Sequence, residues 1–403
     1  MAMGRKLQVA AALLVVAVAA AGAGAAPRAT PGVTSSSILL GGTIPLTGEA
    51  SAAAGVAKGA DAYFKYVNAR GGVLGRKITY KYVDDGYEPQ RTFLAMRQLV
   101  QQDGVFAMFN TLGTNNNIAI RQFLNQQGVP QLFVASGATT FGRDAKQYPW
   151  TIGYIPTYRA EAKVYARYLP KTKPKAKIAV LYQDDDYGKD LVSGLQAGLG
   201  KKASRIVKKV GYDPTASDVK SEVAQLKASG ANTFMIFAFG KFSIQAFIYA
   251  NQLGWHPQIF VNDVSSATSL MVLPPAKATE GAISIVFGKD PDSPAWKRDK
   301  GMKLFFSIMK RFSPGDNPNG YFAAGMASAY TLVDALKKAG KNLTRQGVMN
   351  AATHLNEKGN PFVLPGIVVR TTPSFRYPVA QVKLQRWHKG RWVIFGSLLS
   401  AKP

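Results

Sequence analysis

The chain has 403 residues, of which 47% are hydrophobic and 18% charged, and it contains no cysteine. This length is enough for two domains with separate cores, and the composition is typical of a folded protein rather than a disordered one. The absence of cysteine excludes disulfides, thiolate metal sites, cysteine nucleophiles and a cysteine-linked lipid anchor.

The formal net charge is +27, which favours an anionic partner such as nucleic acid, an envelope polymer or lipid head groups. The basic residues are dispersed, however, and form only short clusters such as Lys171–Lys177. The prolines in and beside this cluster predict a solvated loop. We therefore expect no nucleic-acid partner.

Residues 1–25 have the pattern of a secretory signal peptide. Arg5 and Lys6 precede an apolar run from Leu7 to Ala21, and a small-residue cleavage site follows at Ala23–Ala25. The run is shorter than the roughly 20 residues that a membrane span needs. We predict a protein exported to the periplasm or the outer side of a bacterial envelope, without a cysteine lipid anchor.

The first predicted unit is a strand, a loop, a helix and a second strand. The strand ends near Ile44, and a helix begins at about Ala52 with apolar residues spaced for one buried face from Val56 to Val67. The second strand is predicted at Lys77–Val83. A glycine-bearing loop that enters a helix N-terminus favours an anionic group, although most such units are only part of an α/β core.

Strands and helices continue to alternate along the chain. Further strands are predicted at Val105–Phe109, Leu132–Ala135, Ile178–Tyr182, Thr233–Phe239 and Ile259–Val261. A helix predicted to end at Pro170 separates two such series, so the fold class is α/β with two doubly wound parallel-sheet lobes and a cleft between them. A long helix at Tyr321–Ala339 and a hairpin turning at Lys389-Gly390 complete the pattern.

Ligands of such sheets bind at loops that follow the carboxyl ends of strands. Thr114 and Thr139 follow strands and precede helices, so they either hold a carboxylate or simply cap those helices. Asp263 follows a buried strand without an obvious basic neighbour. It either accepts an ammonium or hydroxyl group or is an ordinary turn aspartate.

The opening stretch also resembles a known family. Its order is a strand, Pro45–Gly48, a helix of small residues and the segment Asn68–Ile78. This order resembles the start of the solute-binding proteins of ABC transporters, in the leucine/isoleucine/valine-binding family with the type I periplasmic binding protein fold. The resemblance covers residues from about 37 to 355.

The resemblance implies two lobes joined by a multi-strand hinge. Residues 34–155 and about 285–355 would form lobe one, and 156–284 with about 356–403 would form lobe two. It also implies a site for the carboxylate and amino group of an amino acid. The matching positions in this sequence are Thr114, Gly137, Ala138, Thr139, Tyr187, Phe239 and Asp263, with Ala53 in the first loop.

This sequence departs from the family at three of those positions. The first loop has alanines, Ala53 among them, where the family usually has an aromatic residue. Phe239 lacks the hydroxyl of the tyrosine often found there, and Asp263 is shorter than the family's glutamate. A roomier wall leaves several ligands open: a leucine-like compound, an aromatic acid, another amino acid, an amide or a urea-type compound.

We therefore predict a solute-binding protein of an ABC importer that closes on a small amino-acid-like or carboxylate-bearing ligand. The expected partners are that ligand and a membrane permease with its ATPase, the protein itself being a monomer without cofactor or metal. The three histidines are isolated and no catalytic motif occurs, so we expect no enzyme. The alternative is a ligand-sensing receptor module acting through a separate signalling partner.

Overall fold

The computed structural model describes residues 30–403, and the predicted signal peptide at 1–25 lies outside them. Helices and strands alternate through the described chain and form two α/β lobes, each built around its own sheet. None of the helices within this range combines the length and the apolar character that a membrane span requires.

The first lobe contains a five-stranded parallel sheet in the order β2-β1-β3-β4-β5. Its strands are β1 (Ser37–Ile44), β2 (Lys77–Asp84), β3 (Ala107–Phe109), β4 (Gln131–Val134) and β5 (Thr151–Gly153). Its helices are α1 (Gly55–Asn68), α2 (Pro89–Arg97), α3 (Thr114–Gln126) and α4 (Thr140–Arg143). The apolar face predicted for α1, from Val56 to Val67, is buried.

The second lobe begins after β5 and repeats the same plan. Its helices are α5 (Tyr158–Thr172), α6 (Asp186–Leu199), α7 (Lys220–Ala228), α8 (Lys241–Gln252), α9 (Thr268–Met271) and α10 (Ala276–Thr279). Its parallel strands are β6 (Ile178–Gln183), β7 (Ile206–Tyr212), β8 (Thr233–Phe237), β9 (Gln258–Val261) and β10 (Ile283–Val286). The strand order is β7-β6-β8-β9-β10, which corresponds position for position to that of the first lobe.

The last part of the chain returns to both lobes. It contains α11 (Lys300–Phe312), α12 (Gly320–Ala339), α13 (Arg345–Ala352), β11 (Asn356–Lys358), β12 (Val368–Arg370), β13 (Gln381–His388) and β14 (Arg391–Ser400). Helices α11 and α12 pack on α1 of the first lobe. The predicted hairpin, β13 with β14, adds two antiparallel strands to the second sheet beside β10.

These memberships confirm the predicted fold class of two doubly wound α/β lobes. From the sheet to which each strand belongs, we propose lobe ranges close to the predicted ones. The one change is that the second lobe extends to Val286, because β10 belongs to the second sheet. The predicted end of α5 at Pro170 is wrong, because the helix continues to Thr172 with Pro170 inside its last turn. A proline there removes one backbone donor, and the N–H of Lys173 still closes the helix on the Leu169 carbonyl at 2.7 Å.

In both lobes the strand order reverses beside the first strand of the series, between β1 and β3 and between β6 and β8. Loops on either side of such a reversal leave in opposite directions and open a crevice at the carboxyl ends of the strands. The two crevices face each other across the gap between the lobes, and this position is where the candidate site lies.

Candidate functional site

A cavity of about 160 Å³ lies between the two lobes. Asn110 and Leu112, which follow β3, line it from the first lobe, and Tyr187, Phe239 and Asp263, which follow β6, β8 and β9, line it from the second. Its volume is similar to that of a roughly 150 Å³ apolar cavity that accommodates benzene. The space therefore suits a small organic ligand.

Nine of the residues that line the cavity are aromatic. The aromatic residues that line it are Tyr87, Tyr154, Tyr158, Tyr187, Phe239, Phe287, Tyr321, Phe362 and Trp392. The tyrosine hydroxyls at the back are already bonded to the protein: that of Tyr154 donates to the Ala327 carbonyl at 3.0 Å, and that of Tyr321 to the Val264 carbonyl at 2.9 Å. The ring faces remain for an apolar or cationic ligand.

Tyr87 supplies an aromatic wall on the side where the sequence has only alanines. Its φ of 68° lies in the left-handed region, which a bulky side chain rarely occupies. The carboxylate of Asp85 accepts a hydrogen bond from the Tyr87 N–H at 3.0 Å, and that of Asp84 accepts one from the Gly86 N–H at 3.0 Å. These turns hold the Tyr87 ring against Phe239, with 5.4 Å between the ring centroids.

Asp263 presents a carboxylate to the cavity. Its N–H donates to Glu161 at 2.6 Å, but no donor within residues 30–403 forms a hydrogen bond with its side-chain oxygens. Burial raises the pKa of Asp263, and burial together with the nearby charge of Asp263 raises the pKa of Glu161. An unpartnered carboxylate in an apolar cavity is a strong acceptor for a cationic or hydroxyl group.

The other charged residues of the cavity are Asp290 and Lys289. Asp290 accepts hydrogen bonds from the Thr268 hydroxyl at 2.6 Å and the Asp292 N–H at 3.1 Å. The ammonium of Lys289 is bonded to the Asp299 carboxylate at 2.8 Å and the Pro361 carbonyl at 2.9 Å. The charge that remains unbalanced at the cavity is therefore negative.

The loop predicted to hold a carboxylate makes contacts within the protein instead. The N–H and the hydroxyl of Thr139 both donate to the carboxylate of Asp190, at 3.0 and 2.7 Å. The hydroxyl of Thr114 pairs with that of Ser136 at 2.8 Å. Neither threonine side chain caps its helix, so the alternative interpretation as simple helix caps is wrong for both.

The two lobes also meet at the rim of the cavity. The Lys241 ammonium lies 2.6 Å from the Glu49 carboxylate, and the Asn115 amide donates to Asp185 at 3.2 Å. Together with the pair Thr139–Asp190, these contacts join the first lobe to the second. The structure is thus the closed arrangement of the two lobes.

Comparison with known proteins identifies the family. The sequence pattern of the periplasmic binding proteins matches residues 37–391, which is most of the chain. The chain belongs to the periplasmic binding protein family. Its members are solute-binding proteins, so the assignment is to binding and not to catalysis, and the resemblance noted in the sequence is confirmed.

Among curated relatives of this periplasmic binding protein is the Leu/Ile/Val-binding protein homolog 2 of Brucella abortus, which is 26% identical over 343 residues. The alignment covers 82% of this chain and 85% of that protein. The Leu/Ile/Val-binding protein homolog 3 of Brucella melitensis is 29% identical over 220 residues, covering 54% of this chain. The chain spans a little over half, 57%, of the length of that relative.

Solved structures share the fold. A substrate-binding periplasmic protein from Ralstonia solanacearum has a TM-score of 0.80 at 21% identity, covering 89% of this chain and 100% of that chain. A branched chain amino acid ABC transporter protein from Thermus thermophilus with bound valine has a TM-score of 0.80 at 17% identity, with 91% and 96% covered. A fatty acid ABC transporter substrate-binding protein from Thermomonospora curvata has a TM-score of 0.75 at 23% identity, with 93% and 95% covered. The ligands in these names differ, so the shared fold leaves the ligand open.

Among the site residues predicted for this periplasmic binding protein, Tyr187, Phe239 and Asp263 line the cavity. The remaining positions lie outside its lining; they are Ala53, Thr114, Gly137, Ala138 and Thr139. All of those are buried, and the first-lobe wall near Ala53 is formed by Val56 instead. Their part in ligand binding stays a prediction.

Tyr158 explains why the loop at Gly137 does not border the cavity. A Cβ placed on Gly137 would lie 2.8 Å from the Tyr158 ring and 2.5 Å from the Pro156 carbonyl, so the ring rests directly on this loop. No sequence motif marks Tyr158 or Tyr87, whereas Asn110 begins the loop that follows the predicted strand Val105–Phe109. The one feature of the sequence that could have indicated Tyr158 as a cavity residue is its position at the start of α5, just after the chain crosses between the lobes.

Proposed function

We propose that this protein is an exported solute-binding protein of an ABC importer, which closes on a small amino-acid-like ligand. The observation that carries the proposal is the aromatic cavity enclosed by strand-end loops of both lobes. A ligand bound there touches both lobes at once, so its contacts are complete only when the lobes are closed. Closure and affinity are therefore linked.

The proposed contacts divide between the lobes. Tyr187, Phe239 and Asp263 of the second lobe surround the ligand, and the Asp263 carboxylate receives its amino group. Tyr87 and Asn110 complete the site from the first lobe. The residues Thr114 and Gly137–Thr139 support closure on this side, through the pair that Thr139 forms with Asp190.

The proposed partner is a membrane permease with its ATPase, which recognises the closed form. Ligand binding brings the rims of the two lobes together, as the contacts Lys241–Glu49 and Asn115–Asp185 illustrate. A surface composed of both rims exists only in this form. The permease can thereby distinguish the loaded protein from the empty one.

Binding is tested first, by thermal unfolding of the purified protein with amino acids, amines, amides and aromatic acids. A ligand at 100 times its dissociation constant adds about 2.7 kcal/mol to the free energy of unfolding. Small-angle X-ray scattering with a ligand found in this way should show a smaller radius of gyration than without it. An unchanged radius would contradict hinge closure.

Transport is tested by uptake of the radiolabelled ligand into cells with and without this gene. We expect uptake to be lost in the deletion strain and restored by the wild-type gene. Normal uptake in the deletion strain, together with loss of a transcriptional response to the ligand, would instead favour the sensing role. Sequencing the N-terminus of the exported protein tests the predicted cleavage near Ala26.

A further inference from the structure

We infer that the ligand is an organic amine with an apolar or aromatic body and without a carboxylate. The inference rests on the proposed binding function and specifies its ligand class. It departs from the expectation that the family resemblance suggests, which is an amino acid held by both its charged groups. Three independent observations support it.

The first observation is that a carboxylate of the protein already occupies the donors expected for a ligand carboxylate. A single oxygen of Asp190, on α6, accepts from both the N–H and the hydroxyl of Thr139. This pair of donors is what a ligand carboxylate would need from this loop. Because Asp190 comes from the second lobe, the occupation is completed as the lobes close.

The second observation is that the remainder of the same loop is covered. The Tyr158 ring lies on Gly137, and the Thr114 hydroxyl is used by Ser136. A ligand carboxylate at this loop would have to displace the tyrosine ring and break the internal hydroxyl pair. No cavity-lining atom belongs to Thr114 or to residues 136–139.

The third observation is the charge of the cavity itself. Asp263 has no partner for its carboxylate among the described residues, Asp290 is a second acid, and the ammonium of Lys289 is balanced by Asp299. A ligand carboxylate would enter an apolar space beside two acids, and the lining formed by residues 30–403 offers it no free cation, which is electrostatically unfavourable. An ammonium group there meets Asp263 and the faces of several aromatic rings.

The polar groups left over are consistent with a neutral second contact. Ser266 donates its hydroxyl to the Asp263 carbonyl at 2.8 Å, and Gln385 donates to the Ile285 carbonyl at 3.1 Å. The Asn110 side chain is 3% exposed, lines the cavity, and its amide nitrogen has no partner in the described structure. One neutral amide can satisfy a hydroxyl, ether or amide of the ligand, but it does not balance a carboxylate charge.

The test compares ligands that differ only in the carboxylate. Calorimetric titration of the purified protein would use 3-methylbutylamine against leucine and 2-phenylethylamine against phenylalanine. Each amine has the body and the ammonium of its amino acid, so the difference reports on the carboxylate alone. Where the protein binds a member of a pair, we expect the dissociation constant of the amine to be at least about tenfold lower than that of the amino acid.

Equal affinities, or tighter binding of the amino acid, would overturn the inference and leave the solute-binding function standing. Absence of binding by every compound in both pairs would also count against it, whereas the uptake experiment decides the transport function separately. The two failures are therefore distinguishable.

A variant identifies the role of Asp190. Asp190→Ala frees the Thr139 donors, and we expect the preference for the amine over the amino acid to fall by about tenfold or more. The matched control is Asp186→Ala, which removes an exposed acid from the same helix. An unchanged preference in a folded Asp190→Ala protein would show that Asp190 does not exclude the carboxylate.

Discussion

Asp263 is the residue on which ligand affinity depends most directly. Replacing it with asparagine keeps its size and removes the charge that faces the ligand's ammonium. We expect Asp263→Asn to weaken amine binding by about 2 kcal/mol or more, because a buried charge loses its partner. Calorimetry measures the change, and Asp186→Asn, which neutralises an exposed acid on α6, is the control. An unchanged dissociation constant would contradict the ammonium role.

The pH dependence of binding follows from the same carboxylate. Burial raises the pKa of Asp263 to about 7, whereas an alkylammonium stays protonated to about pH 10. At pH 5 the protonated acid must lose its proton before it pairs with the cation. Affinity should therefore increase as the pH rises through about 7 and level off above it, with proton release on binding at low pH.

Calorimetry in buffers of different ionisation enthalpy measures the proton release. Glu161 and Tyr321 are titratable groups beside Asp263, Tyr165 bonds Glu161, and Asp290 is the second carboxylate of the cavity. Glu161→Gln keeps an acceptor for the Asp263 N–H and for the Tyr165 hydroxyl. A pH dependence that disappears in this variant belongs to Glu161. One that persists belongs to a carboxylate of the cavity, and it should be absent from Asp263→Asn if that carboxylate is Asp263 and not Asp290.

For individual residues, the sequence could predict only part of the site. Tyr187, Phe239 and Asp263 follow strands, and strand ends are visible in the hydrophobic pattern. Thr139 also follows a strand, but its donors are taken by Asp190 from the other lobe. Which distant side chain fills a given loop depends on how the lobes close, and a pattern of local residues carries no information about that.

At the scale of elements, the contact between α1 and α12 ties the late part of the chain to the first lobe. A Cβ on Gly59 would lie 2.2 Å from the Phe322 carbonyl oxygen, and one on Gly325 would lie 2.0 Å from the Val56 carbonyl oxygen. Both helices thus use glycine where the other's backbone approaches. The close approach brings Ala323, Ala324 and Ala327 of α12 to the cavity.

We expect Gly325→Ala to destabilise the fold by roughly 1–3 kcal/mol, because the added methyl group meets backbone that cannot move independently. Chemical denaturation measures the loss. Gly320→Ala is the matched control on the same helix, since a Cβ there would meet no atom within 4 Å. If both variants are equally stable, the close packing of α1 on α12 does not limit stability.

Helix periodicity predicted the buried face of α1 but not its neighbour. The pattern from Val56 to Val67 shows only that one side of the helix is apolar. The family resemblance implied that residues from about 285 to 355 return to the first lobe, but not that α12 covers this side of α1. The misplaced helix end at Pro170 has a different cause: proline in a last turn costs one hydrogen bond, which tertiary packing of α5 outweighs.

For the molecule as a whole, the central question is whether Thr139 holds the ligand or holds the lobes together. A ligand contact would discriminate between compounds, because only those with a carboxylate would use the hydroxyl. A contact between lobes acts on the fraction of closed molecules and lowers the apparent affinity of every ligand by the same factor. The two roles therefore differ in what they do to ratios of affinities.

Thr139→Val removes the hydroxyl at nearly constant shape. We expect it to weaken binding of amines and amino acids alike, by a factor of roughly 3 to 10, since a hydrogen bond to a charged group is lost and water replaces part of it. Calorimetry with the amine and amino-acid pairs measures the factors. A larger loss for the amino acids than for the amines would restore the predicted carboxylate role of Thr139.

Two further variants separate the contact from a general weakening of closure. In Asp190→Ala, the added change Thr139→Val should cost little more, because residues that act as a pair are not additive. Lys241→Met breaks another contact between the lobes, but the Glu49 side chain there is more than half exposed, so its effect should be small. Additive losses of affinity in the Thr139 and Asp190 variants, or a loss in Lys241→Met as large as that in Thr139→Val, would show that closure does not depend on this pair. Thr139 would then again be a candidate for direct contact with the ligand.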